Sequence, residues 1–172
     1  MEESIKFTEY GEENTKSEFL LKDGVLEGKM IGHYGNGQLK EIINFRNGEM
    51  DGLGKFYMQN GNKKQWIMFR KGKINGRLIN YKDNEIETVM TFKDDVLHGI
   101  MKSYYINRVL KLVCNYVNSY LEGEYCFFSE QGKLLNKAYY HQGQLNGENI
   151  LYAPNGNIIK KELYKQGKLV EV

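Results

Sequence analysis

Proline and cysteine are nearly absent from this chain, and no long apolar run interrupts it. One proline in 172 residues, where about 5% is usual, excludes collagen-like and proline-rich linker architectures. It also leaves strands free of a residue that removes ladder hydrogen bonds. The two cysteines, Cys114 and Cys126, are too few and too far apart for a zinc motif or a disulfide framework, and they read as free, buried thiols. His33, His98 and His141 share no metal-ligand spacing. Behind the acidic start Met1-Glu2-Glu3-Ser4 there is no apolar stretch of signal-peptide length. Nor does any run approach the roughly 20 apolar residues of a membrane span, so a soluble cytoplasmic protein is expected. Charge of one sign is missing as well: 24 basic against 22 acidic residues leave a net +2. That is too little for a bulk field that selects nucleic acid or membrane.

Glycine and aromatics are in surplus, with 19 glycines, 13 tyrosines and 8 phenylalanines. The glycines are spaced. Gly28, Gly52, Gly76, Gly99, Gly123 and Gly147 recur every 24 residues, with one interval of 23, which is the signature of a repeat architecture. An aromatic follows each after 17 residues, or 16 in the shortened unit: Phe45, Phe69, Phe92, Tyr116, Tyr140 and Tyr164. Two residues before each stands an apolar side chain: Leu26, Met50, Ile74, Leu97, Leu121 and Leu145. Five residues after each come His33, Tyr57, Tyr81, Tyr104, Phe128 and Tyr152.

Each unit also holds two reversals, such as Asn36-Gly37 and Asn47-Gly48, then Asn60-Gly61 and Lys71-Gly72. Asn-Gly favours the type I′ hairpin turn, in which both central residues have positive φ. Between reversals lie five to seven residues, a strand length too short for a helix. The expected fold is all-β: an antiparallel meander of about seven 24-residue hairpin repeats, roughly 14 short strands, forming an elongated, curved single-sheet solenoid. One array spans 1–172, with units near 5–28, 28–52, 52–76, 76–99, 99–123, 123–147 and 147–172. Two readings compete for the unit glycines: a turn that requires positive φ, or an aromatic lying flat on bare backbone. The end units depart from the consensus, with Glu13 at a turn-glycine position and Leu21 in the aromatic slot. Near Asn84 a residue and a turn glycine are missing, and Arg108 and Ser119 replace glycines in the next unit; the central hairpins are expected to bend there.

The pattern in Phe128-Ser-Glu-Gln-Gly132 through Tyr140-His-Gln-Gly143-Gln-Leu-Asn-Gly147, and in Tyr152-Ala-Pro-Asn-Gly156 through Tyr164-Lys-Gln-Gly167, resembles the variant class of MORN (membrane occupation and recognition nexus) repeats. The likeness runs from about Ile5 to Leu169. Bacterial proteins built only of such repeats resemble the YwqK-type antitoxins, immunity proteins paired with polymorphic secreted toxins. Eukaryotic relatives serve as scaffolds or lipid-associated modules. The resemblance implies binding and brings no catalytic residues.

The residues themselves support no catalytic set. Cys114 falls in the inward slot that Ile43, Ile67 and Met90 fill elsewhere, a small core hydrophobe rather than a nucleophile. Cys126 reads likewise. The histidines occupy three different slots, so stacking does not gather them, and the acidic pairs Glu12-Glu13 and Asp94-Asp95 sit at turns. The glycines lack both dinucleotide and P-loop spacing. No enzyme, cofactor or metal is expected.

The most informative feature is a stripe opposite the core residues. Fourteen positions after the unit glycines, thirteen in the shortened unit, come Ile42, Trp66, Val89 and Val113, then Lys137 and Lys161. Met68 stands beside Trp66, the one tryptophan. An apolar stripe with an aromatic anchor and charged rim is interface chemistry. The partner-binding candidates are therefore Trp66, Ile42, Met68, Val89 and Val113, with Lys64, Arg70 and Lys73 as the rim. Burial of the stripe in a second layer, or self-association through it, stays open. The expected partner is a cognate protein toxin; a scaffold or anionic-lipid module is the alternative, and nucleic acid is not expected.

Overall fold

The computed structural model describes the backbone of residues 4–10 and 15–171, all of it strand, turn or short connection. The chain divides into two compact units, Met1–Asn84 and Glu85–Val172. The first contains β1 (Ser4–Tyr10), β2 (Lys16–Lys22), β3 (Val25–Leu26), β4 (Gly28–His33), β5 (Leu39–Arg46), β6 (Glu49–Met50), β7 (Gly52–Tyr57), β8 (Lys63–Arg70) and β9 (Lys73–Lys82). The second contains β10 (Glu85–Lys93), β11 (Val96–Leu97), β12 (Gly99–Tyr104), β13 (Leu110–Val117), β14 (Tyr120–Phe128), β15 (Leu134–His141), β16 (Gln144–Tyr152), β17 (Ile158–Lys165) and β18 (Lys168–Glu171). Within each, successive strands pair antiparallel, so the all-β meander read from the repeat is what forms. The strands outnumber the expected 14 by four: a single residue, Glu27, Asp51 or His98, splits three of them, and β18 adds a third strand to the last repeat.

That split marks a bulge at the unit glycine. In the β8–β9 pair, Ile67 faces Leu78 and Phe69 faces Ile74, so Met68 alone stands against Asn75, Gly76 and Arg77. Asn115 faces Glu122 to Glu124 in the same way, and Tyr139 faces Asn146 to Glu148. Extra residues on one strand demand an unusual backbone at the bulge. All six unit glycines accordingly have positive φ, from 78° at Gly28 to 127° at Gly147. The aromatic-on-backbone reading fails for five of these six: a Cβ would meet nothing within 4 Å at Gly28 or Gly123, and Asn44, Met68 and Thr91 rather than a ring at Gly52, Gly76 and Gly99, while at Gly147 the Tyr139 side chain does lie against the bare backbone. The aromatic-on-glycine contact exists elsewhere, at Gly54, where a Cβ would stand 2.8 Å from the Phe69 ring.

The two reversals of a unit are different turns. At the second, both central residues have positive φ, as in Asn47 and Gly48 (51° and 79°) and Gln142 and Gly143 (48° and 78°), which is the expected type I′ hairpin. At the first, only the glycine does, which corrects the type I′ expectation for Asn36-Gly37 and Asn60-Gly61. There the Gly37 N–H donates to Tyr34 O and the Tyr34 N–H to Gln38 O, giving a type I turn closed by a left-handed glycine. Asn36 accepts from the Gln38 N–H at 3.1 Å, an arrangement asparagine supplies from its own side chain. Pro154 occupies the second position of the corresponding turn, Ala153 to Gly156, where its fixed φ fits.

The expected irregularity of the central hairpins is not found. Arg108 (66°) and Ser119 (67°) adopt the left-handed backbone of the glycines they replace, and both turns close. The missing residue near Asn84 has a simple cause: Asp83 and Asn84 (51° and 66°) form a two-residue turn where other units use the longer loop. Asp94 and Asp95 form another (50° and 68°). Of the end-unit features, Glu12 and Glu13 lie outside the described residues. The core-face slot runs through Ile43, Ile67, Cys114 and Ala138, all buried. Yet among the described residues no large side chain is less than 2% exposed.

Candidate functional site

Cross-strand register decides which side chains share the stripe. In the first unit Ile31 pairs with Ile42, Ile42 with Lys55, Lys55 with Trp66, and Trp66 with Ile79. Directly opposite residues in antiparallel strands point to the same face, so these five form one ladder. The second unit continues the same slots as Val89, Lys102, Val113, Cys126, Lys137, Ile150 and Lys161. Every other rung comes from a slot that the sequence reading passed over, three residues after each unit glycine: Ile31, Lys55, Ile79, Lys102, Cys126 and Ile150. The stripe is thus mixed, with lysine rungs inside its apolar part, the buried Cys126 between Val113 and Lys137, and the buried Ile150 between Lys137 and Lys161.

Trp66 is half-buried beneath cations. The Lys55 ammonium lies 5.0 Å and the Lys63 ammonium 5.5 Å from its ring centroid, and Lys63 also lies 5.3 Å from the ring of Tyr81. Trp66 and Tyr81 meet at 5.1 Å with planes tilted by 59°. Such geometry is favourable for the ring quadrupoles and the cations alike. Burial raises the Tyr81 phenol above its ordinary range, with Tyr57 adding to the shift. The indole N–H of Trp66 is buried and has no hydrogen-bond partner among the described residues. Ile42 is half-buried, Met68 is 39% exposed, and Lys64, Arg70 and Lys73 are exposed. Met68, Phe69 and Arg70 line a concavity with Arg46, Asp51 and Asn75. Of the other candidates, Val89 and Val113 are half-buried and belong to the second unit.

The lysines of this face differ between the units. Lys137 is held by Glu124 at 2.7 Å, Lys161 by Glu148 at 2.7 Å, and the neighbouring Lys160 by the buried Glu162 at 2.6 Å. The ion pair with Glu124, followed by the Tyr139 contact, raises the Lys137 ammonium well above its ordinary range. Lys137 in turn is the largest cause lowering the Glu124 carboxyl, and Lys160 is the largest cause lowering that of Glu162. In the first unit, Lys29, Lys40, Lys55, Lys63, Lys64 and Arg77 make no ion pair among the described residues. Carboxylates reach that face at Glu18, the rung directly opposite Ile31, which holds Lys16 at 2.6 Å, and at Glu49, opposite Arg46 at a turn.

The remaining polar groups are occupied structurally. The residue just before a unit glycine reaches the first N–H of the type I′ turn about 20 residues on. Asn47 N–H donates to Glu27 (2.8 Å), Lys71 N–H to Asp51 (3.3 Å), Gln142 N–H to Glu122 (2.9 Å) and Gln166 N–H to Asn146 (3.1 Å). Asn118 N–H points to His98 at 3.5 Å. That slot, filled by Glu27, Asp51, Asn75, His98, Glu122 and Asn146, was legible as a run of acceptors and was missed. On the other edge, Tyr34 donates to Tyr57 O and Tyr105 to Phe128 O, both at 2.8 Å.

His141 sits 2.9 Å from Glu122, whose carboxyl is lowered mainly by the Gln142 N–H and next by His141. Desolvation pushes the buried Cys114 and Cys126 thiols up to about 11, so neither is a thiolate at neutral pH. No cluster of three or more metal-ligating side chains is found among the described residues. Nor is any helix long and apolar enough to cross a membrane.

Comparison with known families fits this geometry. Residues 26–47, 121–142 and 145–166 match the family model described as MORN repeat variant. Each matched segment begins at the apolar residue two before a unit glycine and ends at the first residue of a type I′ turn. No curated protein matches the chain. The chain is a β-hairpin repeat module.

Proposed function

We propose that this repeat module is a non-enzymatic binding protein, and that its partner is a cognate protein toxin which it neutralises, in the cytoplasm, as a bacterial immunity protein. The observation that carries the binding reading is the face around Trp66: an aromatic anchor with Ile31, Ile42, Ile79 and Met68 beside it and unpaired cations around it. Such a composition is the usual chemistry of a protein-binding patch. The thiols, with pKa values near 11, and the side chains of Glu27, Asp51, Glu122 and His98, committed to turns, support the non-enzymatic part. The toxin part rests on the resemblance, read from the sequence, of the repeat pattern to that of variant-repeat antitoxins.

The test is affinity capture of the chain from native cells with mass spectrometry, followed by co-expression with the protein encoded next to it. A specific neighbouring product whose toxicity is relieved supports the reading, with Trp66→Ala weakening the complex at least tenfold. No specific partner and no rescue would contradict it. Sedimentation with anionic vesicles in preference to any protein would favour the lipid-module alternative.

A further inference from the structure

We infer that the first-unit ladder face docks an acidic polypeptide stretch of the partner, one that carries both carboxylates and apolar side chains. This rests on the binding reading above and names the chemistry of what is bound. Three observations converge. First, one cationic rung, Lys55, stands between the apolar rungs Ile31 and Ile42 on one side and Trp66 and Ile79 on the other, across five adjacent strands. Second, Lys40 and Lys64, the bulge residues two before Ile42 and Trp66, and Arg77 two before Ile79 add further cations. None of these cations has an ion-pair partner among the described residues. Third, Lys55 and Lys63 rest on the Trp66 ring, the contact a cation makes in the absence of an anion.

An arriving carboxylate offers each ammonium a stronger partner than a π face. When the lysine heads turn to it, their stems uncover the indole, which then meets the partner's apolar side chain. Its buried N–H, which has no acceptor among the described residues, gains access to a carbonyl. The cost of moving the lysines is small because no intramolecular ion pair is broken. A nucleic acid would also bring anions, but here Trp66 is half-covered and its ring neighbour Tyr81 is buried, so no row of exposed stacking rings is offered. Cations set among aliphatic rungs fit a peptide.

Trp66 is the chain's one tryptophan, so its emission reports directly. The probe is a dodecapeptide alternating glutamate and leucine, titrated at 50 and 300 mM NaCl. The expected result is a saturable change in emission, an affinity at least tenfold weaker at the higher salt, and a further loss of at least tenfold in Lys55→Gln/Lys63→Gln. Lys64→Gln/Arg77→Gln, which leaves the ring cover in place, is expected to lose at least threefold, and Lys161→Gln in the second unit to stay within twofold. Circular dichroism and the urea midpoint verify folding of each variant.

Unchanged emission, equal affinity in both double variants, or tighter binding of an oligothymidine or phosphatidylserine vesicles would overturn the inference. The two proposals fail separately. A toxin captured equally well by Lys55→Gln/Lys63→Gln sinks the docking face alone, whereas peptide binding without any toxin sinks the immunity reading alone.

Discussion

The ladder lysines of the two units stand in different slots of the repeat, Lys55 three residues after its unit glycine and Lys137 and Lys161 fourteen after theirs, and meet different neighbours. Lys55 of the first unit rests on Trp66 at 5.0 Å, while Lys137 and Lys161 of the second are clamped by Glu124 and Glu148 at 2.7 Å. Exposed pairs of this kind add little to stability, about 0–1 kcal/mol. Their larger consequence is the field they leave. The second unit neutralises Lys137 and Lys161 internally, whereas Lys55 of the first, like Lys102 of the second, makes no ion pair among the described residues and stays available for an outside anion. A repeat fold permits this division because each slot is set by hairpin geometry, so the side chains in it vary without disturbing the backbone.

The largest effect that separates the units is steric. In the slot opposite the core residues Ile67 and Cys114 stand Gly54 in the first unit and Met101 in the second. Because the Phe69 ring lies 2.8 Å from where a Gly54 Cβ would be, Gly54→Met overfills the first unit and is expected to destabilise it by about 3 kcal/mol. A urea midpoint within error of wild type would show that the ring yields freely.

Acid comes next and acts on the second unit. Glu122, Glu124 and Glu162 all have lowered pKa values there, caused first by the Gln142 N–H, Lys137 and Lys160 respectively. A carboxyl lowered in the fold is protonated first in the unfolded chain. Its stabilisation is therefore complete above the ordinary carboxyl range, about pH 4.3, and disappears as pH falls through the lowered folded value. Urea midpoints from pH 6 down to pH 3 are expected to fall, most steeply below about pH 4.3. Glu124→Gln with Glu162→Gln should flatten that fall, and an unchanged profile would remove these pairs from the explanation.

How much of this was legible beforehand follows from which facts are local. The fifteen glycines in repeat slots are the fifteen with positive φ, so the turns and bulges could be read from spacing alone. Cys114 was placed correctly in the core slot of Ile43 and Ile67 for the same reason. Lys55 and Ile79 were not seen beside Trp66, because that depends on register. Register here depends on bulges such as the one that sets Met68 against three residues. The turn-capping role of Glu27, Asp51 and Glu122 was hidden likewise, since each partner lies 20 residues away in sequence.

Two smaller changes sharpen the comparison. Glu124→Gln with Glu148→Gln frees Lys137 and Lys161 and makes the second unit resemble the first. The glutamate–leucine peptide should then show a second, weaker binding step by calorimetry, and a single step would mean that free lysines without a tryptophan do not suffice. Ser119→Gly returns a glycine to a left-handed position, φ 67°. Relief of the side-chain penalty, less the entropy glycine adds to the unfolded chain, predicts a gain of about 0.5 kcal/mol; a loss would mean that the Ser119 side chain contributes to the turn.

The claim that partner binding belongs to the first unit's face has a like-for-like test. Met68 and Leu163 share one repeat slot, sixteen residues after Gly52 and Gly147, and are exposed to nearly the same extent, 39% and 37%. A photo-crosslinking benzoylphenylalanine placed at either position in native cells samples equivalent places in the two units. An adduct with one partner protein from position 68 and none from 163 is the predicted result. An adduct from 163 and none from 68 would contradict it.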